Sequence, residues 1–491
     1  MLSRVLALLP LGLLFGCGAF DEGALDVALI GTEESAYAEG LRLSEAGQLV
    51  RAATQSGLVR LDAQGEVVPA LAERWIVTED GRSFIFRLRD TPWPDGSPMT
   101  AESARDALLR AQRGLEGTSL GLDLDAIEDV RAMAGRVIEI RLKSPEPYLL
   151  NLLAQPELAL FHTGGGTGPM LLDRSEEGAR LDFRPPDERG LPEQENWRED
   201  VREVTLSVLS AQEATARFSD GAFDAVLGGD LGSLPLAETG PLSSGTLRID
   251  ATFGHFGLLV RSEQGLLSND GVREGLAMAI DRAALLANYN VGGWVPTTRP
   301  VSPGLPGDPG LVAERWVDED IADLRTEAGA RIIGWRRQFG TGDLSQPAPV
   351  EIWMPEGIGY DRLFDNLADQ FAQIGLQLNR AESAGSADLV LVDRVARYPA
   401  PRWFFNQLHC SLRRGLCSEE VDALVATALQ EPDRDMRATL MAQAEAELTL
   451  SNVFIPIGSP LRWSLVRGGV EGFFGNPYAF HPLPDMAQIP R

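Results

Sequence analysis

Lysine is almost missing from this chain of 491 residues: Lys143 is the only one, so nearly all of the 44 basic side chains are arginines. Histidine is scarce too. The four present, His162, His255, His409 and His481, sit in no metal-ligand spacing, which argues against a zinc hydrolase and predicts neither a metal nor another cofactor. Basic charge as a whole is outweighed by 71 acidic residues, leaving a net charge of -27 that repels phosphate backbones and excludes nucleic acid as a partner. After the first 17 residues no apolar run is long enough to span a bilayer. Internal repeats and low-complexity segments are also missing. Acidic pairs such as Glu33-Glu34 and Asp123/Asp125 meet the bare requirement of glycosidase chemistry, but among 71 acids such pairs arise by chance. No catalytic residue is therefore expected, and a secreted hydrolase is the lesser alternative.

What is present begins at the N-terminus. MLSRVLALLPLGLLFGC carries one positive charge at Arg4, an apolar run to Phe15 and a small residue before Cys17, the layout of a secretory signal. Leu14-Phe15-Gly16-Cys17 resembles a lipobox, in which the cysteine becomes the acylated first residue; Phe15 is an unusual occupant, and a plain signal or an uncleaved anchor are the alternatives. The expected location is the periplasm or the outer face of the cell membrane, with lipid as the only membrane contact. Cys410 and Cys417 then remain as an even pair in an oxidising compartment, and HCSLRRGLC reads as a small disulfide loop. A zinc site using His409 is the rival, weakened by the lack of a fourth ligand nearby.

Along the mature chain, strand and helix signals alternate. DVALIG (26–31) is a short apolar strand, VIEIRL (137–142) alternates, and VTLSVLS, AQEATARFSDG and FDAVLGG (204–229) read as a βαβ unit, which predicts a parallel sheet. Leu71, Ala72 and Trp75 have the spacing of one helical face, Phe84, Phe86 and Leu88 of a strand, and Thr100 is placed to cap a helix with Glu102 in its first turn. Gly164-Gly165-Gly166-Thr167-Gly168-Pro169 lacks the Gly-Lys-Ser/Thr of a phosphate loop and reads as a hinge. In NDGVREGLAMAIDRAALLANY (269–289), Val272, Leu276, Ala279, Ile280 and Ala283 share a helical face, with Asp281 and Arg282 turned outward or toward a lobe boundary. Asp433 is a candidate cap for a late helix.

The runs PALAERW and DGSPMTAES, in that order, followed by VREGLAMAIDR and the Gly166–Met170 segment, resemble family 5 extracellular solute-binding proteins, the capture subunits of peptide-type ABC importers. The resemblance implies an α/β fold of the periplasmic binding protein-like class II (cluster C) type, two α/β lobes around a ligand cleft plus an extra bracing subdomain. The implied boundaries are a signal with lipobox at 1–17, a first lobe from 18–45, 166–252 and 455–491, a second from 46–165, and a third from 253–454. It also implies a monomer that takes a peptide or other small solute and works with ABC permease and ATPase subunits. A sensor or scavenger of the same fold is the alternative.

Peptide-binding members carry a segment resembling W-x-A-D-Y-P-D-P, whose aspartate holds the ligand's α-ammonium group. Here Ala396, Tyr398, Pro399 and Pro401 match, Arg394 takes the tryptophan position and Arg397 the aspartate position. An arginine fork there suits an anionic or capped ligand. Arg397 can equally pair with Asp393 or another carboxylate, and Asp393 can itself serve a cationic ligand from a shifted position. Trp403, ahead of Phe404 and Phe405, is a candidate for the groove wall, as are His255 in ATFGHFGLLV and Glu33 in the turn after the first strand.

Overall fold

The computed structural model describes residues 23–489 apart from 164, 176–177, 238–244, 307 and 341. The expected signal segment and its Cys17 lie outside the described residues. Among the described residues two large sheets follow the chain as it crosses back and forth, a four-stranded sheet is local, and a small one pairs Val59–Leu61 with Val67–Pro69. The first has seven strands in the order Leu247–Ala251, Leu461–Val466, Ala225–Gly229, Leu25–Ile30, Val204–Leu209, Gly178–Phe183 and Met170–Ser175. Its centre is parallel, since Leu25–Ile30 runs alongside both Val204–Leu209 and Ala225–Gly229. The helix Ala211–Ser219, capped by Ser210, makes the crossover. The flanking strands are antiparallel, so the sheet is mixed and not the parallel one expected. The reason lies in the return strands at 170–183 and 461–466, which come from hairpins and from the end of the chain and carry no crossover helix of their own.

The second sheet is antiparallel, in the order Ala72–Val77, Ser83–Leu88, Val137–Leu142 and Ile127–Met133. Helix Ala101–Gly114 packs on it, and Thr100 caps that helix through the backbone N–H of Ser103. The helical reading of Leu71 to Trp75 is overturned, because this stretch is an edge strand. A bulge between Ala72 and Arg74 puts two outward residues where one belongs, so inward Ala72 and Trp75 stand three apart and imitate a helical period.

The third sheet runs Leu376–Arg380, Ala348–Trp353, Leu389–Val395, Gly254–Val260 and Phe454–Gly458. Gly254–Val260 is buried along its whole length. The segment expected as one helix at 269–289 breaks at Ile280 into Asp270–Ala279 and Arg282–Ala287, with Asp281 capping the second. Arg282 does not turn outward. It is buried and donates to the carbonyls of Pro456 and Ala277, the guanidinium acting as a bracket between helix and strand.

Helix Glu45–Thr54 packs on the first sheet's Met170–Ser175 and Ala225–Gly229 and also on Pro156–Leu158. Phe454–Gly458 pairs with Gly254–Val260 in the third sheet, and Leu461–Val466 joins the first. At the 166–169 return, the Gly168 N–H donates to Thr54 O at 2.9 Å. A Cβ on Gly166 or Gly168 would lie 2.1 or 2.2 Å from Thr54 backbone atoms, so this close approach requires glycine.

Candidate functional site

A cleft opens where the sheets meet. Ile30 and Gly31, at the end of one central strand, and Asp393 and Arg394, at the end of Leu389–Val395, line a cavity of ≈ 670 Å³. A neighbouring cavity of ≈ 680 Å³ adds a wall from the second lobe, including Thr118, Gln155 and Glu157. The two share Glu45, Gly228, Asp393, Arg394, Gln407 and Arg414, and each is large enough for a drug-sized solute. Carboxyl ends of strands at a lobe boundary are where α/β proteins usually place ligands.

Asp393 is committed to a polar chain across the cleft floor. Its Oδ1 accepts from Arg462 Nη1 at 2.7 Å, and Arg462 Nε donates to Glu45 Oε1 at 2.7 Å. The Tyr360 hydroxyl lies 2.8 Å from Asp393 Oδ2 and 3.1 Å from Asp230 Oδ2. Glu45, Asp230 and Arg462 belong to the first lobe, Tyr360 and Asp393 to the third. Burial pushes the Asp393 carboxyl up, and Arg462 opposes that shift. A carboxylate so engaged is not an open anchor for a cation.

A second chain ties the second lobe to the third. Arg397 Nη2 meets Glu157 Oε1 at 2.9 Å and its Nη1 donates to Gln155 at 3.0 Å, while Gln155 Nε2 donates to Arg397 O at 3.1 Å. Arg397 is thus neither paired with Asp393 nor an open fork: its charge is spent inside the protein. Tyr398, fully buried, donates to Asp123 Oδ1 at 2.7 Å, which also accepts from Asn406. Beside it Arg402 meets Glu146 at 2.9 Å. Burial pushes Asp123 up to about 7, against the pull of Arg402 and of its hydrogen bonds.

The remaining candidates scatter. Trp403 is 3% exposed and presents only part of its ring to the cleft, packed against Phe404 at 5.0 Å. His255 is 1% exposed among Trp403, Phe404 and Phe454, and it does not line the cleft; burial first and Arg394 second push it down to about 3, so it is neutral. Glu33 is exposed in the short helix Glu33–Ala36, 3.5 Å from Arg174, and its neighbours Gly31 and Ser35 line the cleft where it does not. Cys410 and Cys417 are bonded, their Cα atoms 5.3 Å apart. His409 Nδ1 instead accepts from Ser411 N, and among the described residues no cluster of three metal-ligating side chains occurs.

Arginine is the commonest charged residue of the cleft lining. Arg394 Nη1 and Arg414 Nη1 both reach Gln407 Oε1, at 3.2 and 3.1 Å. Burial lowers Arg394, and burial, then Arg394 and Arg42, push Arg414 down to about 10; no carboxylate raises either. Two guanidiniums sharing one acceptor sit within roughly two hydrogen-bond lengths, about 6 Å, and repel by on the order of 1–3 kcal/mol at effective dielectrics between water and protein surface. The disulfide closes the loop that carries Arg413 and Arg414. A signal was visible in HCSLRRGLC, two adjacent arginines with no acid beside them.

Gly117-Thr118-Ser119-Leu120-Gly121 has the spacing of a serine-nucleophile elbow, so the sequence does not lack that motif. An elbow needs strand, sharp turn and helix. Here Ser119 merely opens the short helix Ser119–Leu124 after a turn, Thr118 caps it, and no hydrogen bond joins Ser119 to a histidine among the described residues. His481, which lines the same cavity, is held by Asp250 at 3.0 Å and stacked on Phe473.

Known proteins share this architecture. Haemophilus influenzae OppA, solved in complex with RPPGFSPFR, superposes with a TM-score of 0.79 at 18% identity, covering 95% of this chain and 99% of that one. The dipeptide-binding protein DppE of Bacillus subtilis is 23% identical over 473 residues, 87% of this chain and 85% of its own. The probable deoxycholate-binding periplasmic protein YgiS of Escherichia coli is 32% identical over 124 residues, 21% of this chain and 22% of its own, so the chain spans about a fifth of that relative. These are binding proteins, not enzymes. Residues 66–412 match the bacterial extracellular solute-binding proteins, family 5, and the chain belongs to that family.

Proposed function

We propose that this protein captures a small solute in the interlobe cleft and delivers it to the permease and ATPase subunits of a peptide-type ABC importer, tethered through lipidated Cys17 outside the inner membrane. The observation that carries the reading is the cleft itself, walled by strand ends and loops of all three lobes and of a size for a short peptide or similar solute. Family membership and the periplasmic or extracellular setting of relatives such as YgiS support it. Capture works through differential affinity: a ligand that contacts facing lobes at once favours the closed arrangement. The names of the relatives span an oligopeptide, a dipeptide and deoxycholate, so the family alone does not choose the ligand.

The side chains narrow the choice. With an arginine at position 397, bonded to Glu157, and Asp393 engaged by Arg462, the one acidic group expected to serve a cationic ligand is already paired. Native mass spectrometry of the mature protein, purified without denaturation, tests the reading. An intact small solute released from the protein is expected. A cleaved product, or no binding of any small solute, would sink it.

A further inference from the structure

The cleft inverts the charge of the molecule that contains it. The chain carries -27, yet the acids along the cleft floor and walls are already engaged: Glu45 and Asp393 with Arg462, Glu157 with Arg397, Asp123 with Tyr398 and Asn406. What stays without an acidic partner among the described residues is a group of arginines. Arg394 and Arg414 converge on the amide oxygen of Gln407, a residue that is itself 6% exposed, and Arg42 lines the same cavity. Like charges are not gathered around one neutral acceptor for stability, because each loses hydration and gains no counter-charge.

Resting on the reading of the cleft as a solute site, we infer that Arg394, Arg414 and Arg42 form a subsite for an oxyanion, the carboxylate or phosphate group of the captured solute. Guanidinium forks present paired N–H donors to such a group, and Gln407 fixes two of them in place. Arg42 lines the same cavity as Arg394 and Arg414, and an oxyanion seated among the three would offset the repulsion between their charges.

The test is an equilibrium titration of the intact protein, dialysed free of co-purified solute, with N-acetyl-trialanine, its C-terminal amide, free trialanine and inorganic phosphate. The acetylated acid is expected to bind at least tenfold more tightly than its amide, and Arg394→Gln or Arg414→Gln to erase that difference. Because each variant removes a repelling charge, the ligand-free thermal midpoint should stay level or rise, which separates lost recognition from lost folding. Tight binding of phosphate alone would assign the oxyanion to a phosphate. Equal binding of acid and amide, or a preference that survives both substitutions, would overturn the anion subsite and leave solute capture standing. Failure of all the probes at millimolar concentration would overturn the anion subsite, and solute capture would stand or fall on the native mass spectrometry.

Discussion

Removing the Arg397 side chain separates a structural role from a ligand-binding one. Glu157 is 4% exposed, its Oε1 is held by Arg397 at 2.9 Å, and its Oε2 has no hydrogen-bond partner in the structure. Arg397→Ala therefore strands a buried carboxylate at the boundary between the second and third lobes. Stripping one partner from a fully buried pair costs about 3–5 kcal/mol. The Arg397 side chain is 28% exposed and Arg51 lies close enough to share the Glu157 charge, so solvent screening and that second cation bring the expectation down to about 2–3 kcal/mol. Adding Glu157→Gln removes the stranded charge, and the double variant should return to within about 1 kcal/mol of the wild type. Urea unfolding of the wild type, both single variants and the double variant gives the cycle, and titration of the native solute gives affinity alongside it. Affinity in the double variant should stay within about threefold, under 1 kcal/mol. If Arg397→Ala leaves stability unchanged and abolishes binding, Arg397 is a ligand group and the reasoning fails. Arg397→Asp, which restores the family's acid, sets a second carboxylate against Glu157 and should cost more than the alanine variant.

Asp123, held near 7 in the fold against 3.8 for the free side chain, binds its proton more tightly folded than unfolded. Its contribution to stability is full below about pH 4 and is lost as pH rises toward 7, at up to about 1.4 kcal/mol per unit. The wild-type stability measured relative to Asp123→Asn should therefore fall across that window; a difference that stays flat in urea midpoints from pH 4 to 8 would refute the buried acid. Replacing Cys410 and Cys417 together by serine opens a short loop and should cost about 2–3 kcal/mol while weakening solute binding through Arg414; unchanged melting would show that the bridge constrains nothing. A Cβ on Gly359 would stand 1.8 Å from Leu231 O, where the third lobe abuts the first and Gly359 N donates to Gly232 O at 2.8 Å. Gly359→Ala should wedge these lobes apart, raising the radius of gyration in small-angle scattering and weakening solute affinity severalfold, and identical scattering would count against that contact.

Features with local causes were legible in the sequence. The βαβ unit at 204–229, the Thr100 cap and the Asp433 cap each depend on residues within a few positions, and each is found. The strand Ala72–Val77 was not legible, because a bulge gave its inward residues a helical spacing. Position 397 was marked by its departure from the family motif, but its partner Glu157 lies 240 residues away and no periodicity points to it. Arg42, Arg394 and Arg414 likewise meet only after the chain has crossed between lobes. Arg394 was in view only as the occupant of the tryptophan position, and the charge of each arginine could be read without its neighbours.

The lobes are joined by apolar clusters that run through their boundaries and, at the cleft itself, by polar contacts. An apolar seam of equal area would lose roughly 25 cal/mol for each Å² it exposed, a cost borne at every opening. The floor of this cleft instead joins Glu45, Arg462, Asp393, Tyr360 and Asp230, and its second boundary joins Arg397, Gln155 and Glu157. Buried ion pairs contribute little net stability because water takes back the charges nearly as well as the partners do. With the cleft's acids engaged in ion pairs and hydrogen bonds, and Arg394 and Arg414 converging on Gln407, the proposed oxyanion subsite would make an anionic solute the ligand that favours the closed arrangement.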